Sequence, residues 1–230
     1  MTGALAAKCG KSTILIEADL HSGPAAMYLN FEPARSVIDA LEAPSLDASW
    51  NDLITPVGNF AILPAPNHAP ASHPSAWAYR RLLAYVRYRY EYVIFDLPEV
   101  VNSATEAIVS AAKVVYVVCT PEVPSLILAR KRCAALVAHG VPEDRLQIVL
   151  NRHAKDGPDT AAISSILGYP IGQVIPNDYK SLWDANLKRR LVDEKSLVGR
   201  AFEAFAWNLT GKPMEEVKAP RKLFGIFSAA

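Results

Sequence analysis

Short, continuous hydrophobic runs recur along the chain, and longer amphipathic stretches separate them. The runs are rich in β-branched residues and do not alternate with polar ones, which is typical of strands covered by helices on both faces. Six runs fit this description: 14–16, 60–63, 92–95, 114–118, 146–150 and 171–175. The pattern predicts an α/β fold, a doubly wound and mostly parallel sheet flanked by helices on both faces.

The stretches between the runs have helical periodicity. They cover residues 75–90, 103–112, 125–139, 159–167 and 197–209. We interpret residues 1–210 as a single α/β domain and residues 211–230 as a C-terminal tail, because the pattern turns polar and proline-punctuated there. Ligands of doubly wound folds bind at the carboxyl ends of the strands, so the residues that follow each run are the candidate site.

Composition excludes several classes of protein. The 230 residues are 51% hydrophobic and 20% charged, which excludes an intrinsically disordered chain. The net charge is only +1, which disfavours general nucleic-acid binding. The three cysteines lack C-x-x-C spacing, and no apolar run reaches about 18 residues, so we expect neither a zinc ribbon nor a membrane span in what we interpret as a cytoplasmic protein.

Two tempting motifs have simpler interpretations. His68 and His73 lie in a proline-rich segment without a nearby carboxylate or cysteine, so a surface loop is favoured over a metal site. Residues 10–13 (GKST) match only the end of the phosphate loop G-x-x-x-x-G-K-[ST]; Leu5 stands where that loop needs its first glycine. The run at 14–16 then predicts a strand instead of a helix. We therefore interpret residues 4–9 as the end of a helix with Gly10 as its C-cap.

Six phrases together resemble the MinD/ParA-type ATPases with a deviant phosphate loop, and within them the CpaE/TadZ-like pilus-assembly proteins. The phrases occur in family order with family-like spacing. They are ILIEADLHSGP (14–24), LNFEPARSVIDAL (29–41), YEYVIFDLPEV (90–100), VVYVVCTPEVPSLILARK (114–131), IVLNR (148–152) and VIPNDYKSLWDANLKRRLV (174–192).

The resemblance implies catalytic and metal-binding roles for three carboxylates. Glu17 and Asp19 match the acidic pair of the first switch region, with Glu17 where the family usually has Asp. Asp96 matches the Walker-B carboxylate that orients magnesium through water, and Asp19 shares the metal site with it. From the residues alone, capping of the following loops or helices is an alternative for Asp19 and Asp96.

The resemblance also implies a nucleotide-base site. Asn151 matches the asparagine that reads the adenine edge, Pro176 the residue beside the base, and Asn186 a late family segment. ATP and magnesium are thus the implied cofactors, with weak or absent binding because residues 1–13 cannot supply the family's first strand, its K-G-G-x-G-K-[ST] loop and the following helix. We therefore expect an N-terminally incomplete relative with negligible ATP turnover, lacking a strand beside the Walker-B strand.

Three functions remain open at this stage. The leading one is a CpaE/TadZ-like protein that assembles or localises a pilus or secretion apparatus through protein contacts, at the inner membrane or cell pole. The alternative is an active ATP-dependent switch that dimerises in the MinD/ParA manner. A ParA-like DNA-partitioning protein is disfavoured by the charge balance, although arginines cluster at 80–89 and basic residues at 188–190.

The tail allows two interpretations. Basic and apolar residues combine at 218–227, which is the composition of a weak membrane-surface anchor. An exposed end without a membrane role is the alternative.

Overall fold

The computed structural model describes residues 1–68, 70 and 74–211. All six predicted runs form strands, and one further short strand, β2, precedes β3. The strands of this described part are β1 Thr13–Glu17, β2 Thr55–Val57, β3 Phe60–Leu63, β4 Tyr92–Asp96, β5 Val115–Cys119, β6 Leu146–His153 and β7 Ile171–Pro176.

Helices fill the connections, and all five predicted helical stretches are helical. The described helices are α1 Thr2–Cys9, α2 Ala25–Leu29, α3 Val37–Glu42, α4 Leu46–Leu53, α5 Ala76–Val86, α6 Ser103–Val109, α7 Val123–Ala138, α8 Thr160–Leu167, α9 Tyr179–Leu187 and α10 Leu197–Thr210, with a 3-10 turn at Glu143–Arg145. Local chemistry sets several ends: the side chain of Asn102 accepts hydrogen bonds from two N–H groups of the first turn of α6. Gly10 ends α1 in the left-handed conformation, as predicted.

The strands form two sheets with the orders β2-β3-β1-β4 and β5-β6-β7. Every pairing is parallel except that of β2 with β3. The predicted fold class is therefore confirmed. Within the described residues, the interruption lies between β4 and β5.

Separate hydrophobic cores support the two sheets. On one face of the first sheet, Ile14 and Ile16 pack with residues of α3 to α6. The opposite face carries Ile62 of β3 and Ala6 of α1. The second sheet packs against α7 and α8 around a core that includes Ile148, so each half of the molecule is stabilised largely by its own apolar contacts.

Two helices connect the halves. Neighbouring residues of α6 divide between the cores, with Ile108 in the first and Val109 in the second. Helix α10 packs on α1 and on β7. The carboxyl ends of β1 and β4, and of β6 and β7, are thereby held in one framework.

Candidate functional site

The predicted acidic residues meet at the carboxyl end of the first sheet. Glu17 and Asp96 are register partners on the adjacent strands β1 and β4, and Asp19 follows two residues after Glu17. The main-chain oxygen of Asp96 accepts hydrogen bonds from Ala18 N–H at 2.8 Å and from Asp19 N–H at 3.2 Å. This backbone junction fixes the two aspartates beside each other.

Both carboxylate oxygens of Glu17 hold neighbouring loops through hydrogen bonds. The residue is only 1% exposed to solvent. Oε1 accepts a hydrogen bond from Ala25 N–H at 2.8 Å, and Oε2 accepts one from Ala65 N–H at 3.0 Å. Burial raises the pKa of the Glu17 carboxyl, and the two backbone donors oppose that rise. The geometry supports a structural role for Glu17, and its catalytic role stays a prediction.

Gly23 is part of the same loop closure and was not singled out in the sequence. A Cβ at this position would lie 2.4 Å from the Ala65 Cβ and 3.0 Å from the Glu17 Cδ. Glycine therefore permits the close approach between the loop after β1 and the loop after β3. The G-P pair at 23–24 was its only signal in the sequence, and that pair indicates a turn without revealing the contact.

Asp19 and Asp96 differ in how they are used. Asp19 Oδ1 accepts hydrogen bonds from the N–H groups of His21 and Ser22, both at 3.1 Å, so its loop-capping alternative is realised. Within the described residues, no hydrogen bond or ion pair engages the side chain of Asp96. Partial desolvation by surrounding protein and then the negative charge of Asp19 raise the pKa of Asp96.

These two aspartates suit a magnesium ion that keeps most of its water. The described part of the chain contains no group of three or more His, Cys, Asp or Glu side chains arranged to hold a metal ion. Magnesium is commonly held by one or two carboxylates together with waters and phosphate oxygens. Asp19 and Asp96 would supply the carboxylate oxygens of such a site.

The predicted base-binding residues lie mostly on the second sheet. Asn151 is in β6, with its Oδ1 accepting a hydrogen bond from Arg152 N–H at 3.0 Å. Pro176 ends the neighbouring strand β7 and pairs with His153. Asn186 is exposed near the end of α9, the helix that follows β7 in the chain. The structure thus brings Asn151 and Pro176 to adjacent strands and puts Asn186 on a helix.

Residues 10–13 lie at the amino ends of β1 and β4, whereas the acidic residues lie at the carboxyl ends of these strands. Lys11 Nζ contacts Glu91 Oε1 at 2.6 Å, and Ser12 N–H donates to Glu91 Oε2 at 3.1 Å. Glu91 immediately precedes β4, whereas Asp96 ends it, so a whole strand of about 17 Å separates this lysine from the acidic edge. In this structure, the GKST sequence leads into strand β1, which begins at Thr13.

Two of the four arginines in the basic cluster at 80–89 are engaged within the protein. Arg81 donates to the main-chain oxygens of Ala40, Leu41 and Ala43 near the end of α3. The guanidinium of Arg89 pairs with Asp47 and lies over the Tyr85 ring. Arginines held in this way are poorly placed for phosphate contacts. The second basic group is also engaged, because two of its members pair with Asp184.

Two sequence predictions fall outside the described residues: the tail segment 218–227 and the His73 half of the histidine pair. In the described part, no helix combines the length and apolarity that a membrane crossing requires.

The parallel α/β framework that brings Asp19 and Asp96 together at the carboxyl ends of β1 and β4 is similar to several solved structures. The structure resembles a ParA family ATPase from Chlorobium tepidum TLS, with a TM-score of 0.79 at 19% identity, covering 89% of each chain. It also resembles MinD of Aquifex aeolicus solved as a MinC:MinD complex, with a TM-score of 0.77 at 22% identity, over 92% of this chain and 88% of that one.

A third solved structure adds a ligand to the comparison. MinD from Pyrococcus horikoshii OT3, complexed with Mg-ADP, matches with a TM-score of 0.73 at 18% identity, over 90% of this chain and 86% of that chain. At these identities the structures establish the fold, which is the fold of MinD and ParA.

Sequence comparison points to the same class. The chain is 27% identical over 224 residues to the putative septum site-determining protein MinD of Guillardia theta, covering 93% of this chain and 82% of the relative. No family model matches the chain. Together the comparisons show similarity in sequence to MinD and the fold of MinD and ParA proteins.

Proposed function

We propose that this chain is a MinD/ParA-type protein-positioning factor. In this proposal it has kept the magnesium-binding residues and the base-binding residues of a nucleotide site. The observation that carries the proposal is the side-by-side placement of Asp19 and Asp96 at the carboxyl ends of β1 and β4. A site at strand carboxyl ends is where doubly wound folds bind ligands. The similarity to MinD, and the Mg-ADP complex of a structural relative, favour a nucleotide as that ligand.

The magnesium-binding and base-binding residues each have a defined task in this proposal. Asp96, whose side chain no other described residue engages, would orient the waters of a bound magnesium ion together with Asp19. Asn151 reads the adenine edge and Pro176 packs beside the base, with Asn186 as a less central contributor. Glu17 holds the loops around them through its two backbone hydrogen bonds.

For the 230 residues taken by themselves, nucleotide binding is expected to be weak and ATP turnover negligible. The 230 residues contain neither G-x-x-x-x-G-K-[ST] nor K-G-G-x-G-K-[ST]. In phosphoryl-transfer proteins those loops provide the backbone N–H groups and the lysine that hold the β- and γ-phosphates. Without them, affinity depends on magnesium and base contacts alone. The fuller alternative, an ATP-driven dimerisation switch, requires such a loop from elsewhere.

Equilibrium titration with a fluorescent ATP analogue tests the proposal. We expect saturable, magnesium-dependent binding at high ligand concentration that Asp96→Ala weakens. Asp144→Ala is the matched control, because Asp144 is an exposed carboxylate just before the amino end of β6. Absence of saturable binding at millimolar ligand, or equal binding by the Asp96 variant, would contradict the nucleotide site. ATP hydrolysis well above background, lost in Asp96→Ala, would contradict the proposed low turnover and support the active switch.

Protein partners are the second part of the proposal. The MinD of Aquifex aeolicus was solved with MinC, so an exposed protein-binding surface is reasonable for this chain, as is a homodimer. The narrower CpaE/TadZ branch rests on the six sequence phrases, whereas the sequence comparisons favour a MinD-like positioning role. Deletion of the gene in its own cell separates them: loss of pili with normal septa supports the pilus role, and misplaced septa support the MinD-like role.

Membrane and DNA contacts are subsidiary proposals with direct tests. Peripheral attachment at the inner membrane or pole through residues 218–227 predicts liposome co-sedimentation that disappears when residues 212–230 are removed. Equal sedimentation of both chains would contradict the anchor. For DNA, the engaged arginines and the near-neutral charge predict no salt-sensitive shift of duplex DNA in a gel.

A further inference from the structure

Two neighbouring surfaces in the first half of the molecule carry opposite charge. Residues 75–90, which include α5, contain four arginines and no aspartate or glutamate. Residues 37–53, which include α3 and α4, contain four carboxylates and no lysine or arginine. The two segments pack together, because α3 contacts α5 and Arg89 pairs with Asp47. A positive face and a negative face therefore lie side by side on one surface.

The outer face of α5 carries exposed aromatic and cationic side chains. Trp77 is 67% exposed, and Tyr88, just after the helix, is 94% exposed. Arg80 and Arg87 are also exposed, and within the described residues no hydrogen bond or ion pair engages either of them. Positions i, i+3, i+10 and i+11 fall on one side of a helix, so these four side chains share a face. Trp, Tyr and Arg are the residues most enriched at the centres of protein interfaces.

Trp77 is held in position although it is exposed. The Cζ atom of Arg81 lies 5.6 Å from the centre of the Trp77 ring. Arg81 is itself fixed, because it donates to three main-chain oxygens in and just after α3, including Ala43 O at 2.6 Å. An aromatic side chain that is already positioned loses little conformational entropy on binding, which favours it as an interface anchor.

A groove suited to such an anchor lies beside Trp77. It has a volume of about 300 Å³ and is formed by α3, the turn that follows and α4. Ala43, which accepts the hydrogen bond from Arg81, lines this groove and so places it next to the Trp77 ring. Three carboxylates and one guanidinium give the lining a net charge of −2; these residues are Arg35, Asp39, Glu42 and Asp52.

The groove has carboxylates that the molecule itself leaves unpaired. Arg35 pairs with Asp39, whereas Glu42 and Asp52 are exposed and no described residue bonds to their side chains. The acidic groove repels phosphate, which favours a protein that carries both signs over a nucleic acid as the partner of this surface. A second copy, related by a two-fold axis, carries both signs in the required arrangement, and such self-complementary contacts are the commonest in homodimers.

We propose that this chain forms a homodimer in which the Trp77 side chain of each copy enters the groove between α3 and α4 of the other. Arg80, one turn further along α5, pairs with Glu42 and Asp52 of the second copy. The face from Trp77 to Tyr88 is about 17 Å long, so the interface is small and the dimer weak and reversible. This inference does not rest on nucleotide binding.

Sedimentation velocity of the nucleotide-free chain tests the proposal. We expect a monomer–dimer equilibrium that shifts toward monomer as salt is added, because exposed charge pairs are screened. Trp77→Ala and Arg80→Glu should each weaken the dimer about tenfold or more. Trp183→Ala and Arg130→Glu are the matched controls, because these residues are exposed on α9 and α7, and both should leave the equilibrium unchanged.

Exchanging the charges provides the reciprocal experiment. A chain with both Glu42→Lys and Asp52→Lys should be monomeric by itself, because its groove then repels Arg80 of a second copy. An equimolar mixture with the Arg80→Glu chain should regain a dimer within about tenfold of the original affinity. In that mixture the new carboxylate of one chain faces the new ammonium groups of the other, and the second contact keeps its original charges. Far-UV circular dichroism of each variant should match the unmodified protein and report an intact fold.

Several results would overturn the inference. They are a monomer at every concentration, an equilibrium that Trp77→Ala and Arg80→Glu leave unchanged, equal weakening by the control variants, and a charge-exchanged mixture that stays monomeric. A dimer that forms only with ATP and magnesium would assign association to the nucleotide site instead. Salt-sensitive binding of duplex DNA that Arg80→Glu abolishes would assign this face to nucleic acid, and it would equally overturn the dimer.

Discussion

The ends of β1 and β4 place two carboxylates at the same register, and the structure uses them in opposite ways. Glu17 is buried and both of its oxygens accept backbone hydrogen bonds, whereas Asp96 is exposed and no described residue engages its side chain. Burial raises the pKa of Glu17, and partial desolvation by surrounding protein, followed by the charge of Asp19, raises the pKa of Asp96. Sequence position at a strand end therefore does not separate a loop-holding carboxylate from a ligand-binding one; the backbone donors that surround the side chain do.

The largest expected effect is the loss of stability in Glu17→Ala. The substitution leaves the buried N–H groups of Ala25 and Ala65 without acceptors, so we expect the free energy of unfolding to fall by about 2–4 kcal/mol. Urea denaturation measures it. Asp96→Ala is the control at the same register and should change stability by no more than about 0.5 kcal/mol. Similar losses in both variants would break the distinction between the two carboxylates.

Gly23→Ala should be the next most damaging change. Its Cβ would lie 2.4 Å from the Ala65 Cβ, so the loops must separate, and overpacking of this kind costs about 1–3 kcal/mol. The control is Gly3→Ala in α1, where the nearest atom is the flexible end of Leu191 at 3.1 Å. Thermal unfolding should show a clear loss for the first variant and little for the second. A stable Gly23→Ala chain would show that Glu17 does not need the close loop contact.

The pH dependence of stability should differ between the unmodified chain and Glu17→Gln. Because burial raises the folded-state pKa of Glu17 above its usual value of 4.5, the native state binds more protons than the unfolded state above that value. The contribution of Glu17 is thus fully present below pH 4.5 and declines as pH rises through the folded-state pKa. Relative to Glu17→Gln, the unmodified chain should lose stability over this window in urea titrations. A constant difference from acid to neutral pH would contradict the raised pKa.

The smallest effect is expected from Asp96→Asn. Stability should change by no more than about 0.5 kcal/mol, because the residue is exposed and no described group bonds to its side chain. The pKa of Glu17 should nevertheless fall, since the charge of Asp96 contributes to its rise. A carbon-detected NMR titration of the Glu17 carboxyl reports the shift. Asp144→Asn, near the amino end of β6, is the control that should leave the Glu17 pKa unchanged.

Much of the fold could be predicted because its signals are local. Continuous β-branched runs identified six strands, and Gly10 correctly marked the end of α1. Strand β2 was missed because Pro56 interrupts a three-residue pairing at the sheet edge. Helix α3 was also missed, although Ser36 and Asp39 form a capping box that could have revealed it.

The site was less accessible to sequence reasoning because its contacts join distant segments. The hydrogen bond from Ala65 to Glu17 crosses 48 residues, and nothing near Glu17 in the chain announces it. Arg81, one of the arginines clustered at 80–89, donates to carbonyl groups about 40 residues away in the chain. The family resemblance implied a shared site for Asp19 and Asp96, and the parallel pairing of β1 with β4 brings these residues together at the carboxyl ends of the strands.

The split between β4 and β5 has a mechanical consequence. When a parallel sheet is pulled apart across its strands, the ladder hydrogen bonds resist together, but no such ladder joins these two strands in the described chain. A force that separates the halves therefore acts on the side-chain contacts of α6 and α10, which can yield one after another. Stretching a single molecule between anchor points in the two halves should rupture that boundary first and leave each half intact as a separate unit.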